Sequence, residues 1–317
     1  MQESNKNLQL PKDANIAVVG SGAVGCFYGA RLARVGNRVS FLMRADAEHV
    51  RQNGLKINSY EGNFLLSDAS VFTQTQDMGV QDLVIVALKA TDNHVLPQLL
   101  KPLVGSQTII LTLQNGLGNE EFLTQLFHVK HIMGGVCFVC LNRIAPGVIQ
   151  HFKHGHIEVG EFSSGSLPRT EAIAKLFENA GITCTLSDNL QETRWRKLVW
   201  NIPFNGLSIS EGGLDVSQLL ANPQMLKKVE ALMEEIITTA TALGIAIPPS
   251  FIRDQISKTR VMGPYRPSSL IDYELGRAVE VESIWGEPLR RAQAKGLFMP
   301  RLSKLYHSLK DLFRHHF

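Results

Sequence analysis

Residues 15–25 read Asn15-Ile16-Ala17-Val18-Val19-Gly20-Ser21-Gly22-Ala23-Val24-Gly25, an apolar strand running into the spacing G-x-G-x-x-G. A helical pattern follows over 26–35 and closes at Gly36. Each glycine has a physical task in such a turn. Gly20 permits the tight reversal, Gly22 lets the backbone approach a pyrophosphate, and Gly25 lets the helix pack on the strand. The helix would point its first N–H groups and its positive dipole end at the phosphates, so anionic charge is stabilised without a basic side chain. In this strand–turn–helix setting, with a second strand at 39–42, the motif points to dinucleotide binding through Gly20, Ser21, Gly22, Ala23, Val24 and Gly25. The bland alternative is a glycine turn with a purely structural role.

Working outward, short β-rich apolar runs recur at 16–19, 39–42, 83–88, 108–113 and 132–139, separated by helix-like stretches. Most are continuously apolar, as parallel strands covered on both faces are. The pattern predicts an α/β fold, a Rossmann-type doubly wound parallel sheet. After about residue 189 the character changes. Long helical periodicities dominate at 194–202, 225–243, 268–285 and 288–295, and predict a second, mostly α-helical domain. The expected organisation is a flexible lead at 1–14, a dinucleotide-binding domain at 15–188 and a helical substrate domain at 189–317.

Composition narrows the partners. The 317 residues are 44% hydrophobic and 19% charged, which excludes disorder and suits two domains. A formal charge of +3 from 32 basic and 29 acidic side chains is too small and dispersed for a general nucleic-acid surface. No apolar run reaches the roughly 18 residues needed to cross a bilayer, and residues 1–14 lack the apolar core of a signal peptide. With four cysteines and no disulfide framework, the expectation is a soluble cytoplasmic protein acting on a small anion. The sequence carries no direct signal for oligomeric state, and a homodimer through the helical domain is the starting assumption.

An acidic residue about 20 positions beyond the glycines marks an NAD site, where it holds the ribose 2′-hydroxyl. Here the end of the second strand carries Arg44. A guanidinium cannot accept a hydrogen bond but can grip a 2′-phosphate in a fork, which favours NADP(H). Asp46 nearby weighs on the other side. Ligands in open α/β sheets lie outside the carboxyl ends of the strands, which singles out Lys89 and the turn Gln114-Asn115-Gly116, unless these are ordinary loop polarity.

In the block 193–205, Lys197, Asn201 and Asn205 recur at i, i+4 and i+8, one stripe of a helix. Pro203 should bend that stripe without abolishing it. A lysine and two asparagines amid Trp and Phe need partners, because unpaired buried polar groups are costly. Ligand oxygens would serve, and so would neighbouring loops with the lysine reaching water. Ser268 opens the next helical pattern, where an N-cap competes with a ligand role. Glu280 and Glu282 cannot share a helix face, so one of them should point inward.

Together these residues resemble the ketopantoate reductase (2-dehydropantoate 2-reductase) family over nearly the whole chain. The carriers are G-S-G-A-V-G at 20–25, Arg44, A-L-K-A around Lys89, L-Q-N-G-L-G at 113–118, K-L-V-W-N-I-P-F-N at 197–205 and P-S-S-L-I-D-Y-E-L-G-R-A-V-E-V-E at 267–282. The resemblance implies NADPH-dependent reduction of 2-dehydropantoate to pantoate, a step toward pantothenate and coenzyme A, in a cleft between a Rossmann domain and a helical domain. It implies Lys197 as the catalytic lysine and Glu280 as the active-site glutamate. It also implies Asn201, Asn205 and Ser268 as substrate-binding positions, Lys89 and Asn115 at the nicotinamide end, and Arg44 on the 2′-phosphate. On that assignment hydride reaches the keto carbon, and Lys197 stabilises the growing oxyanion and delivers the proton, its pKa tuned by burial and by Glu280. One departure bears on substrate choice. The asparagine that some members carry before the serine is replaced by Tyr265-Arg266-Pro267, either Ser268 or Ser269 aligns, and Arg266 could itself bind a carboxylate.

Other features point away from metal chemistry. Cys137 and Cys140 have C-x-x-C spacing without the second pair a zinc site needs. His151, His154 and His156 read as a polar connection between strands. The basic tail 304–317 reads as an amphipathic final helix. Two rival functions remain open: another two-domain NAD(P)-dependent 2-keto acid, hydroxyacid or opine dehydrogenase, and a non-catalytic NADP(H)-binding regulator that kept the fold.

Overall fold

The computed structural model describes residues 8–314. By its internal contacts the chain forms two compact units: Met1–Gln114 with Asn119–Leu190, and Asn115–Gly118 with Gln191–Phe317. The short loop 115–118 belongs by its contacts to the helical unit.

Among the described residues the first unit holds a ten-stranded sheet: β1 (Asn15–Val19), β2 (Arg38–Leu42), β3 (Leu55–Ser59), β4 (Phe64–Leu66), β5 (Ser70–Phe72), β6 (Gln81–Val86), β7 (Val104–Thr112), β8 (Ile132–Ala145), β9 (Val148–Glu161) and β10 (Cys184–Leu186). The order is β4-β3-β9-β8-β7-β6-β1-β2-β5, with β10 beside β9. From β8 to β5 every pairing is parallel, and the run β5-β2-β1-β6-β7-β8 is the Rossmann order, reversing between β1 and β6. Alternate residues explain the two covered faces. Ile16 and Val18 enter one core with Phe41, Leu83 and Ile85, while Ala17 and Val19 enter another with Leu42, Val84 and Val86. A strand buried on both sides has no reason to alternate polar residues, hence its continuous apolar run.

Beyond this parallel run the sheet is mixed. β8 and β9 form a long antiparallel hairpin, and β3 pairs antiparallel with β4. The three histidines therefore lie within β9 and not in a connection between strands. His151 is fully buried, its Nε2 donating to the His154 carbonyl at 2.7 Å and its Nδ1 2.8 Å from Ser59 Oγ. His154 and Gly155 take positive φ, and the ladder shifts register there, so β9 bends. The hairpin tip reaches β3: Lys56 N donates to Gly147 O at 2.8 Å. Helices α1 (Ala23–Arg34), α2 (Ala47–Asn53), α3 (Leu96–Leu100), α4 (Asn119–Thr124) and α5 (Pro168–Asn179) complete the unit.

The lead needs a second correction. Residues 1–7 lie outside the described residues, but Leu8 is only 2% exposed and packs in the first core with Ala14. Burying a leucine stabilises by roughly 1.5–3 kcal/mol, enough to tie the segment down.

The second unit contains α6 (Leu190–Ser210), α7 (Val216–Ala221), α8 (Pro223–Ala242), α9 (Ser250–Arg260), α10 (Ser268–Glu274), α11 (Glu287–Ala294) and α12 (Pro300–Arg314). Its core gathers Trp195, Leu198, Ile202, Phe204 and Trp285, together with Leu117 from the short loop. Pro203 sits inside α6, which continues to Ser210. The single helix expected over 268–285 is broken instead. α10 stops at Glu274, Gly276 turns with φ +63, and a π-helical turn, Glu282–Gly286, leads into α11.

Candidate functional site

In the first unit the glycine-rich turn is built by sterics. At Gly20, φ is +104, and an added Cβ would fall 2.2 Å from Leu88 N and 2.5 Å from the Ala87 carbonyl carbon, the segment just after β6. At Gly25 it would meet Gly20 O at 2.2 Å and Val18 Cγ1 at 2.9 Å. At Gly22 it would meet nothing within 4 Å. Two positions are thus closed by the protein's own backbone and the middle one faces open space, the cradle a pyrophosphate requires. Gly22 caps α1, no acidic residue enters its first turn, and no side chain caps it. The donor set fits a dinucleotide phosphate. Ser21 Oγ donates to Leu42 O at 2.8 Å, tying the turn to the end of β2. Behind it, burial pushes the Cys26 thiol up to about 12, with the Asp46 charge adding and Arg143 opposing, so Cys26 stays a neutral packing residue.

Beyond β2, Arg44 is exposed. Asp46 is largely buried and already engaged: Arg143 Nη1, from β8, lies 2.9 Å from both carboxylate oxygens, and Gly147 N donates at 3.2 Å. Lys89 is half-buried and caps the 3-10 turn Ala90–Val95, directly after the Ala87–Leu88 backbone that packs on Gly20. A buried relay joins Thr112 Oγ1 to Gln114 Oε1 at 3.0 Å, Gln114 Nε2 to Asn93 Oδ1 at 2.7 Å, and Asn93 Nδ2 to Asn119 Oδ1 at 3.1 Å. It brackets the loop that carries Asn115.

In the second unit, Lys197 Nζ donates to Asn115 Oδ1 at 2.6 Å, a pairing across 82 positions of chain that no helical spacing foreshadows. Leu117 N donates to Ser283 O at 2.9 Å, and Ser283 Oγ to Glu280 O at 3.3 Å, so the Asn115 loop and the Glu280 segment are stitched together. Glu280 is half-buried, whereas Glu282 is exposed and bound to Arg290, Lys310 and Tyr306. The inward choice between the two glutamates is therefore Glu280.

The asparagines divide. Asn201 is 7% exposed and Asn205 2%. Asn205 Oδ1 accepts from Ser269 N at 3.0 Å, and its Nδ2 donates to Asn201 O at 3.1 Å. Asn205 thus satisfies an orphan N–H at the start of α10, the work foreseen for Ser268. The N-cap position is Pro267, Ser268 is exposed, and Ser269 is the buried serine. Of the aligned pair, Ser269 is the one placed beside the α6 stripe. Arg266 is ion-paired with Glu274, which occupies the guanidinium considered for a substrate carboxylate. The sequence reading missed Asn93 and Arg143, whose roles depend on partners 21 and 97 positions away. Among the described residues no three His, Cys, Asp or Glu side chains are grouped to hold a metal ion, and no helix is long and apolar enough to cross a membrane.

Comparison with known proteins follows the same division. Residues 16–164 match the family described as ketopantoate reductase PanE/ApbA, and residues 189–313 match its C-terminal counterpart. A 2-dehydropantoate 2-reductase of Nostoc sp. is 42% identical over 301 residues, covering 93% of this chain and 94% of the relative. The crystal structure of a 2-dehydropantoate 2-reductase from Geobacter metallireducens superposes with a TM-score of 0.92 at 43% identity, covering 94% and 99%. The fold is also that of D-mandelate dehydrogenase in its ternary structure with NADH and anilino(oxo)acetate, at 22% identity and a TM-score of 0.87 over 95% and 99%.

Proposed function

The chain belongs to the ketopantoate reductase family of oxidoreductases, and from that premise we propose that it reduces 2-dehydropantoate to pantoate with NADPH, a step toward pantothenate and coenzyme A. The observation that carries the reading is the 2.6 Å bond from Lys197 Nζ to Asn115 Oδ1, which holds a cation on the loop 115–118 that follows β7 in the chain; the loops after strand ends are the ligand-binding segments of open α/β folds.

NADPH, when bound, supplies the hydride for the keto carbon. The protein must hold the carbonyl in one orientation and neutralise the charge that develops on its oxygen. Lys197 stabilises that oxyanion and passes it a proton, so the C=O becomes a CH–OH. Asn115 aims the ammonium. Glu280, half-buried on the segment stitched to that loop, balances the lysine's charge and helps return it to the protonated state. Asn201 and Ser269 present buried polar groups to the substrate hydroxyl and carboxylate, with Asn205 orienting Ser269 through its backbone. Gly20, Ser21, Gly22, Ala23, Val24 and Gly25 cradle the pyrophosphate, Lys89 lines the cofactor site, and Arg44 takes the 2′-phosphate. The fold alone does not choose the cofactor, since D-mandelate dehydrogenase carries NADH on it. The choice of NADPH rests on Arg44.

The test is oxidation of NADPH, with NADH in parallel, on ketopantoate and a panel of other 2-keto acids. Ketopantoate with NADPH should give the highest kcat/KM by about tenfold or more. A faster keto acid would move the protein to another member of the 2-keto acid reductase class, and no turnover at all would leave a cofactor-binding regulator. The proposal includes a cytoplasmic homodimer, which light scattering of the purified protein checks for assembly.

A further inference from the structure

The pair Asp46–Arg143 is unused by the chemistry above, yet both charges act on Cys26, the residue that follows the glycine-rich turn. Asp46 follows Arg44 in the turn after β2, where Ala47 N donates to Arg44 O at 3.3 Å. It lies two residues past Arg44, next to the position where a dinucleotide fold for NAD carries its ribose-binding acid. A free carboxylate there would accept from a 2′-hydroxyl and repel a 2′-phosphate. This carboxylate is not free. The β8–β9 hairpin curls back so that Arg143 Nη1 meets both oxygens at 2.9 Å, while Gly147 N, at the hairpin tip, donates to Oδ2 at 3.2 Å. The Asp46 side chain is 13% exposed and that of Arg143 39%, so the acid is largely shielded and the guanidinium keeps an open flank. The other acid past β2, Glu48, is engaged on its own helix by Gln52 and Arg51. Arg44 is left as the exposed charge of the turn.

We propose that Arg143 is a specificity-determining residue for the phosphorylated dinucleotide: by pairing with Asp46 it masks the carboxylate that would otherwise select NADH, and so lets Arg44 take the 2′-phosphate. It acts through Asp46 and Arg44 from a distant hairpin. The inference rests on the reading that the cofactor is NADPH.

The experiment measures binding on the full chain, apart from turnover, for NADPH, NADH and the fragment 2′,5′-ADP, by titration calorimetry. Wild type, Arg143→Gln, Asp46→Asn and the double variant are compared. Wild type should prefer NADPH. Arg143→Gln should lower the NADPH/NADH affinity ratio about tenfold, because it unmasks an anion facing the phosphate. Asp46→Asn alone should keep the preference, and adding it to Arg143→Gln should restore most of the ratio. A ratio unchanged within about twofold in Arg143→Gln overturns the proposal. So does a double variant no more NADPH-selective than Arg143→Gln, which would make Arg143 a direct phosphate ligand. If Arg143→Gln fails to fold, Asp46→Asn and Arg143→Lys carry the test: both must keep the preference, and loss of it in either sinks the idea. A wild type that prefers NADH defeats the cofactor reading itself, and that result is visible before any variant is made.

Discussion

The turn at residues 20–25 and the α6 face at residues 197–205 work by opposite means. The turn acts through its backbone: Gly20 and Gly25 are closed to any side chain, and Gly22 is left open. The α6 face acts through side chains whose meaning is set elsewhere, Lys197 by Asn115 and Asn205 by Ser269. A site made of backbone tolerates no side chain where its glycines are closed. A site made of side chains tolerates substitution structurally and loses chemistry, because its partners are separate residues that remain in place.

That contrast can be broken by measurement, and the largest effect should come from the side-chain site. Lys197→Ala should lower kcat with a 2-keto acid by about a hundred- to ten-thousand-fold, the range for losing a positioned proton donor. Dinucleotide affinity, measured by titration, should stay within about twofold. Equal loss of both would show that the lysine holds cofactor and not the carbonyl.

The backbone site should behave in reverse. Gly20→Ala forces a Cβ onto Leu88 N at 2.2 Å and a φ of +104 on alanine, which should destabilise the first unit by roughly 3 kcal/mol or more in denaturant unfolding. Gly22→Ala has space, so its stability should be unchanged while dinucleotide affinity drops about tenfold through lost close approach. If Gly22→Ala unfolded the protein as readily as Gly20→Ala, the turn would be a structural device and nothing more.

Within the α6 face the expected effects are smaller. Asn205→Ala leaves the Ser269 N–H without its acceptor and should cost about 1–2 kcal/mol. Ser268→Ala removes an exposed hydroxyl and should change stability by less than about 0.5 kcal/mol. Equal costs would return the capping role to Ser268.

Legibility in the sequence follows the same divide. The glycine turn and the parallel strands were readable because each leaves its mark within a few residues: φ at Gly20, and burial on both faces at 16–19 and 83–86. The stripe Lys197-Asn201-Asn205 was visible as spacing, but its division of labour was not, since Ser269 lies 64 residues from Asn205. The β8–β9 hairpin was half-read. Its apolar first half, residues 132–139, gave a clear strand, while His151, His154 and His156 read as a polar connection because a bent ladder carries polar residues into strand positions. The break after Glu274 was hidden because 268–285 keeps helical periodicity through Gly276, and only tertiary context decides whether a glycine ends a helix.

The smallest effect separates the two units by pH. In the first unit His131 and His151 are held below the ordinary imidazole range, chiefly by burial. His131 Nδ1 bonds the Thr108 carbonyl at 2.7 Å. His151 donates from Nε2 to a carbonyl, so its Nδ1 accepts from Ser59 and gains nothing from a proton. The unfolded chain takes up these protons near pH 6.5 and the folded chain only lower, so stability is full above about pH 6.5 and falls as pH drops through that window. In the second unit Glu282 is partly buried, which raises its pKa, but hydrogen bonds from Arg290 and Tyr306 and the Lys310 charge hold it below the usual carboxylate range. Its contribution is present above about pH 4.5 and fades only in stronger acid. Hydrogen exchange resolved by segment at pH 7, 6 and 5 should therefore show β8 and β9 loosening before α11 and α12. His131→Asn, which keeps a donor for Thr108, should flatten the first unit's response, and simultaneous loosening of both units would mean that the buried histidines do not set it.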